Sequence, residues 1–474
     1  MVETLTPDIC VIGGGSGGLS VAAAAAAFGV PAVLIERHKM GGDCLNTGCV
    51  PSKALLAAAK RAEAIQSAAA FGVVAQGIID FSKVHDHVQS VIAAIAPTDS
   101  AARFNALGVR VINAQARFKD RHTVVAGDFE IRARRFVIAT GSRPALPPIP
   151  GLDGGRCLTN ESIFDLQERP EHLIIIGAGP VGLETAQAFR RFGSSVTVLE
   201  AAQPLAKDDA ECAAIVIGQL KREGVVIRSN VNVVGVAHAG AIVTVTIEAA
   251  GAEQTITGSH LMVAAGRTPV VDGLDLDAAG IRHDAGGIRV NRKLKTRNRR
   301  VYAIGDCAAG QLQFTHAANY HAGLVIRNAL FRLPVRVDNS AIPRVTFTEP
   351  ELAQTGLTEA EARARRIKIR VARWPYHDND RAQAERQTRG HIKVITSRKG
   401  MVVGATIVGA QAGELIGMWT LAISRKLNIR AFSTFVLPYP TYSELGKRAS
   451  LDFLSSYLTS PWVRRIIRWM RVFG

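Results

Sequence analysis

The feature that most constrains this fold is a unit that occurs twice. Residues 8–37 read as an apolar strand and glycine turn (DICVIGGG), an alanine-rich helix, and a second strand (VPAVLIER). Residues 173–200, LIIIGAGPVGLETAQAFRRFGSSVTVLE, repeat the plan. Aligned without a gap, Gly13, Gly15, Gly18, Phe28, Gly29 and Glu36 coincide with Gly177, Gly179, Gly182, Phe192, Gly193 and Glu200. Glycines at this spacing let a pyrophosphate approach a helix N-terminus, and an acid closing the second strand can take ribose hydroxyls. Two copies imply an α/β chain with two dinucleotide sites.

Between and beyond these units the chain alternates helices and glycine turns. Pro51–Ala70 and Phe81–Asn105 each read as one long helix, with apolar faces that belong to a core. RRFVIATGSRP (134–144) and HLMVAAGRTP (260–269) are related strand–turns flanking the second unit, as boundary crossings would be, and the Pro-rich 144–151 suits a linker. RVYAIGDCAAG places Asp306 after another strand, where its carboxylate could meet a hydroxyl-bearing ligand; Cys307 reads as structural. From Ile342 the pattern becomes a separate α+β domain.

Six cysteines in 474 residues exclude a secreted disulfide scaffold. They fit a cytoplasmic protein with one special pair, and neither a signal peptide nor a spanning segment is visible. That pair is Cys44 and Cys49 in GGDCLNTGCVPSK (41–53), which can open and close as a disulfide if a neighbour exchanges two electrons. Lys53, one helical turn beyond Cys49, can stabilise a thiolate. A formal charge of +17 admits a generally basic surface, steering of anionic ligands, or an anionic membrane. No nucleic-acid motif accompanies it, and the first reading is preferred.

Together these motifs resemble the FAD-dependent pyridine nucleotide–disulfide oxidoreductases, in the branch of dihydrolipoamide dehydrogenase, glutathione reductase and mercuric reductase, from about Asp8 to Ala449. The resemblance implies two Rossmann-like domains, for FAD and NAD, and a C-terminal α+β dimerisation domain. The expected division is FAD-binding at 1–150 and 280–341, NAD(P)-binding at 151–279, dimerisation at 342–449 and a basic tail at 450–474. It also implies that Gly13, Gly15, Gly18, Glu36, Lys53, Thr140, Gly141 and Asp306 serve FAD. Gly177, Gly179, Gly182, Glu200 and Gly266 would serve the nicotinamide nucleotide. Cys49 would form the charge-transfer complex with the flavin and Cys44 would meet substrate, with Lys53 and Glu184 as the ion pair beside the flavin. No resident metal is expected. Glu200, with no arginine in 201–207, favours NADH, NADPH being the alternative.

The family's homodimers complete each active site with H-P-T-x-x-E from the partner chain, and here the chain departs. Residues 438–444 read PYPTYSE, with Tyr439 in the histidine's place and Glu444 in the glutamate's. Imidazole near pKa 6.5 shuttles protons at neutral pH, whereas a phenol near 10 is a poor base, so fast disulfide turnover is expected to suffer. Tyrosine near this position is a mercuric-reductase feature, yet the C-terminal cysteine pair of those enzymes is missing: no cysteine follows Cys307. Tyr439 is a proton donor, a metal contact or a spacer. The tail from Trp462 alternates aromatic and apolar residues with Arg464, Arg465, Arg468 and Arg471, a pattern that suits docking on its own dimer or lying on anionic lipid at the inner face of the membrane.

The resulting expectation is an enzyme passing electrons from NADH through FAD and Cys44–Cys49 to a small disulfide or thiophilic metal ion. The alternatives are a membrane-surface NADH:quinone oxidoreductase and a flavin-bearing binding or scaffold protein with little turnover.

Overall fold

The computed structural model describes residues 2–152, 157–458 and 460–474. The chain forms two compact units: Met1–Gly177 with Arg191–Ser194 and Val233–Asp338, and Ala178–Arg190 with Ser195–Asn232 and Asn339–Gly474.

The first unit is built on a five-stranded parallel sheet in the order Val301–Ala303, Arg135–Ile138, Ile9–Ile12, Ala32–Glu36, Val109–Asn113. Its middle strand, Ile9–Ile12, is apolar and buried at every position because both faces are covered. Cys10, Ile12, Val33, Ile35, Phe136 and Ile138 pack on one side with Phe118 and Ile131. Ile9, Val11, Leu34 and Val137 pack on the other, against Leu19, Ala22 and Ala25 of helix Ser16–Ala27 and Val325 and Ala329 of helix Thr315–Ala329. The strands after the paired turns, Ser142–Pro144 and Arg267–Pro269, are hydrogen-bonded antiparallel.

The stretch read as one helix over Phe81–Asn105 is two, Phe81–Asp99 and Ala101–Ala106. Ser100 is extended (ψ 151°), and its hydroxyl accepts from Arg103 N, which caps the second helix and ends the first. The helix expected at Pro51–Ala70 runs over Cys49–Ser67, so it begins at the second cysteine itself. After the turn Gly305–Cys307, the next helix begins only at Thr315.

The second unit contains the parallel pair Ser195–Glu200 and Val226–Ser229 and a five-stranded antiparallel sheet. The sheet order is Arg344–Thr346, Glu351–Gly356, Val402–Gly409, His391–Ser397, Ile369–Pro375. Trp419, on helix Ala412–Ser424, stacks on Phe432 at 4.2 Å in its core. Lys393, only 4% exposed, sits mid-strand and reaches Asp209 (2.8 Å), Glu359 (2.9 Å) and Glu211 (3.1 Å). Three carboxylates offset its desolvation, and they tie helix Ala210–Arg222 to the sheet.

Candidate active site

Gly41 and Gly42 take positive φ (+87° and +58°) to turn the chain into the short helix Gly42–Asn46. A Cβ on Gly42 would press on the backbone of Gly15 at 2.7 Å, so the cysteine segment lies directly on the first glycine turn. Cys49 opens a 19-residue helix with no side chain capping it, which puts the positive end of the helix at its thiol. Cys44 and Cys49 are free thiols. The Cys44 thiol donates to Cys49; with help from the Thr315 hydroxyl and the Lys53 charge, and against burial, it brings Cys49 down to about 6. The same bond, with burial, holds Cys44 far above the ordinary thiol range. Thr315 Oγ1 lies 3.2 Å from Cys49 Sγ. In the reduced pair, Cys49 is therefore the anion and Cys44 the proton carrier at neutral pH.

A polar chain fixes this segment. Asp43 accepts from the Thr47 hydroxyl (2.8 Å) and from Asn160 Nδ2 (3.0 Å), and its other oxygen lies 3.4 Å from Arg267. Arg267 Nε donates to Ser142 Oγ (2.7 Å), which donates to Asp306 (2.6 Å). Burial raises the Asp306 carboxyl although Ser142 and Arg267 oppose it. Gly305 N donates to Nδ1 of His321 (3.3 Å), whose complete burial pushes its pKa down to about 4 and keeps it neutral. Cys307 is buried, its thiol donating to Ile304 O (3.2 Å). Thr315, Arg267, Asn160 and His321 escape a reading of sequence alone. The hints are the places of Arg267 after the AAG turn and of Thr315 and His321 after the IGD turn; Asn160 has none.

The two glycine turns share one construction. Glu36 accepts from Gly14 N (2.6 Å) with one oxygen and His38 N (2.8 Å) with the other. Glu200 does the same with Ala178 N (2.8 Å) and Ala202 N (2.9 Å). Gly13 and Gly177 both stand at φ +110°, where a Cβ would strike Ala139 O and Ala264 O respectively. A Cβ at Gly18 would collide with Gly13 O. A Cβ at Gly179, by contrast, would face open space, and one at Gly15 would only touch Gly42 Cα at 3.8 Å. The uncapped amides of helix Ser16–Ala27 and an acid with lone pairs to spare suit a pyrophosphate and a ribose, so these residues fit a dinucleotide such as FAD. Gly141 and Gly266 also hold positive φ, and the Thr140 hydroxyl donates to Val270 O (2.6 Å).

Glu184, Tyr439 and Glu444 belong to the second unit. Glu184 is buried and accepts from Phe347 N (2.9 Å). Tyr439 is 68% exposed, and its hydroxyl donates to Asp380, a partner 59 residues away that the sequence did not reveal. That bond stabilises the protonated phenol and raises its pKa, with Glu444, at the start of helix Glu444–Leu458, adding to the effect. Among the described residues no group of three His, Cys, Asp or Glu side chains is arranged to hold a metal ion, and no helix is long and apolar enough to cross a membrane.

The family model described as pyridine nucleotide-disulphide oxidoreductase matches residues 7–322, and the dimerisation domain of the same family matches 342–450. The chain is 34% identical to a mercuric reductase of Streptomyces lividans over 460 residues, covering 94% of this chain and 96% of that protein. It is also 34% identical to a dihydrolipoyl dehydrogenase of Bacillus subtilis over 454 residues, 94% and 95% of the two chains. Among solved structures it is similar to LpdA from Mycobacterium tuberculosis (TM-score 0.87, 26% identity, 95% of this chain and 100% of that one). A Cu(II) complex of the HOCl-induced flavoprotein disulfide reductase RclA from Escherichia coli gives a TM-score of 0.83 at 28% identity, covering 93% and 98%.

Proposed function

This chain belongs to the pyridine nucleotide-disulphide oxidoreductase family, whose members use FAD and NAD(P)H and dimerise, and from that premise we propose that it carries electrons from NADH to a thiophilic metal ion or small disulfide through Cys44 and Cys49. It is an oxidoreductase and a homodimer; the residue roles and the acceptor are our reading. The observation that carries it is the hydrogen-bonded thiol pair at the start of helix Cys49–Ser67, with Cys49 brought down to about 6.

In this reading the turn of Gly13, Gly15 and Gly18 with its helix amides holds the FAD pyrophosphate, and Glu36 the adenosine ribose. Thr140, Gly141 and Asp306 hold the remainder, and Lys53 and Glu184 form the charge pair beside it. Bound FAD supplies the two-electron exchange between nicotinamide and dithiol. Gly177, Gly179, Gly182, Glu200 and Gly266 hold the nicotinamide nucleotide; the negative charge of Glu200 disfavours a 2′-phosphate, hence NADH over NADPH. In the same reading, residues 1–150 and 280–341 bind FAD, 151–279 bind the nicotinamide nucleotide, 342–449 dimerise and 450–474 form a basic tail.

Opening the Cys44–Cys49 disulfide takes two electrons and one proton, giving Cys49 thiolate and Cys44 thiol. Cys44 then attacks or ligates the acceptor as it loses its proton. Tyr439 and Glu444 from the second copy of the chain would face it. A phenol whose one proton is given to Asp380 does not accept the Cys44 proton at neutral pH and has none to pass to a leaving thiolate, which disfavours rapid thiol–disulfide exchange. A thiophilic metal ion displaces the Cys44 proton to water as it binds and leaves no thiolate to be protonated, so it does without that carrier. The mercuric reductase relatives and the copper-bound structural neighbour support that preference.

The test is a steady-state panel with NADH and NADPH against mercuric and cupric ions, lipoamide, glutathione disulfide and quinones. We expect metal-ion turnover with NADH that is abolished by Cys44→Ser. Quinone turnover that survives Cys44→Ser as the only substantial activity overturns the reading.

A further inference from the structure

The C-terminal segment is the one feature singled out by the sequence that the redox site does not use. Helix Pro461–Met470 has ten residues, about 15 Å at 1.5 Å per residue, half the thickness of a bilayer core. It can lie on a membrane but cannot cross one. At 100° per residue, Trp462 and Trp469 fall within about 20° of each other while Arg464 and Arg468 fall on the opposite side, Arg465 flanks the aromatic side, and Phe473 follows just beyond the helix. The aromatic side is open: Trp462 is 69% exposed, Trp469 65% and Phe473 74%. Trp469 and Phe473 pack edge to face at 5.0 Å, and Met470 is exposed as well. Only Val463 and Ile466 are partly covered. No acidic residue occurs after Asp452, and among the described residues none of the four arginines of this segment meets a carboxylate.

We propose that this helix is a docking surface for an anionic lipid bilayer, lying in the interface plane with its aromatic ridge at the acyl boundary and its arginines on phosphate headgroups. Charge complementarity selects this occupant. Four arginines on one short terminal segment, none meeting a carboxylate among the described residues, in a chain of net charge +17, repel a second identical segment and attract a lipid phosphate surface. Tryptophan and arginine are also the residues whose mixed apolar and polar character suits that depth. Because the enzyme is a homodimer, each assembly carries two such helices, and binding of one raises the effective concentration of the other. The inference rests on the tail alone and holds whichever acceptor the redox site takes.

The experiment uses the FAD-loaded full-length homodimer. It is sedimented with vesicles of phosphatidylcholine alone and with vesicles of equal parts phosphatidylcholine and phosphatidylglycerol, at low and high salt. Binding to the anionic vesicles only, weakened by salt and accompanied by a blue shift of tryptophan emission, is expected. Arg464→Glu with Arg468→Glu should lower partitioning roughly tenfold or more, as should removal of residues 461–474. Trp462→Ser with Trp469→Ser should abolish the emission shift. Unchanged NADH-dependent dye reduction identifies each variant as folded. Equal sedimentation of the full and shortened chains overturns the proposal. So does a shortened chain that becomes monomeric while the full chain ignores both vesicles, since the helix then covers a second copy.

Discussion

Cys49 and Tyr439 are tuned by the same physics in opposite directions. Cys49 is surrounded by hydrogen-bond donors, Cys44 and Thr315, and by the charge of Lys53, and its proton is released near pH 6. Tyr439 is given an acceptor, Asp380, with Glu444 close by, and its proton is held more firmly than in free tyrosine. A donor stabilises the anion and an acceptor stabilises the acid. The contrast teaches that the electron-receiving side of this protein is built to be ionised at neutral pH, and the segment expected to face the acceptor is built to stay neutral. A relative with imidazole at position 439 would have one proton carrier more.

The largest effect that would test this contrast is at Cys49. Cys49→Ser should remove the long-wavelength absorption of the NADH-reduced protein and lower metal-ion and disulfide turnover by about a thousandfold or more, with NADH-dependent dye reduction retained. Persistence of the band sinks the assignment of Cys49 as the thiolate. Next, Tyr439→His should raise lipoamide or glutathione-disulfide turnover roughly ten- to a hundredfold and leave metal-ion turnover unchanged. A gain for both acceptors would break the contrast, because a missing proton acceptor would then limit both. Smaller still, Thr315→Val removes a donor to the thiolate and destabilises it. The thiolate, which in the wild type is lost as pH falls through about 6, should be lost at a midpoint about one unit higher, read from thiolate absorbance against pH. The smallest expected change is in Asp380→Asn, where loss of the carboxylate moves the Tyr439 titration downward in an ultraviolet pH titration. Shifts of the same sign for Thr315→Val and Asp380→Asn would contradict the donor–acceptor distinction.

What the sequence made legible follows from distance along the chain. Both glycine turns with Glu36 and Glu200 are contiguous signals: strand, turn, helix and acid lie within thirty residues, and their spacing alone dictates the local fold. Cys44, Cys49 and Lys53 are likewise local, because one turn and one helix start hold them together. Thr315 is 266 positions from Cys49, and Asp380 is 59 from Tyr439, so only the folded chain brings these pairs together. Lys393 was invisible for another reason: a lysine alternating with apolar residues in HIKVITS looks solvent-facing until Asp209, Glu211 and Glu359 are found around it. The break at Ser100 had a local signal in Pro97 and the capping serine, outweighed by the apolar periodicity on either side.

The doubled use of Glu200 has a consequence for anyone who would redesign coenzyme choice. Its two oxygens already hold Ala178 N and Ala202 N, so the residue is a tie within the turn as well as, in the function proposed here, a filter on the ribose. Exchanging it for arginine to admit a 2′-phosphate would strip two backbone amides of their acceptors at about 1–3 kcal/mol for each one left buried. A gain in affinity for the phosphorylated coenzyme would therefore arrive with a looser turn and a lower melting temperature. The gentler route keeps the acid and introduces the cation beside it, at exposed Ala201, since Gln203 already ties the turn to Asn230 (3.2 Å).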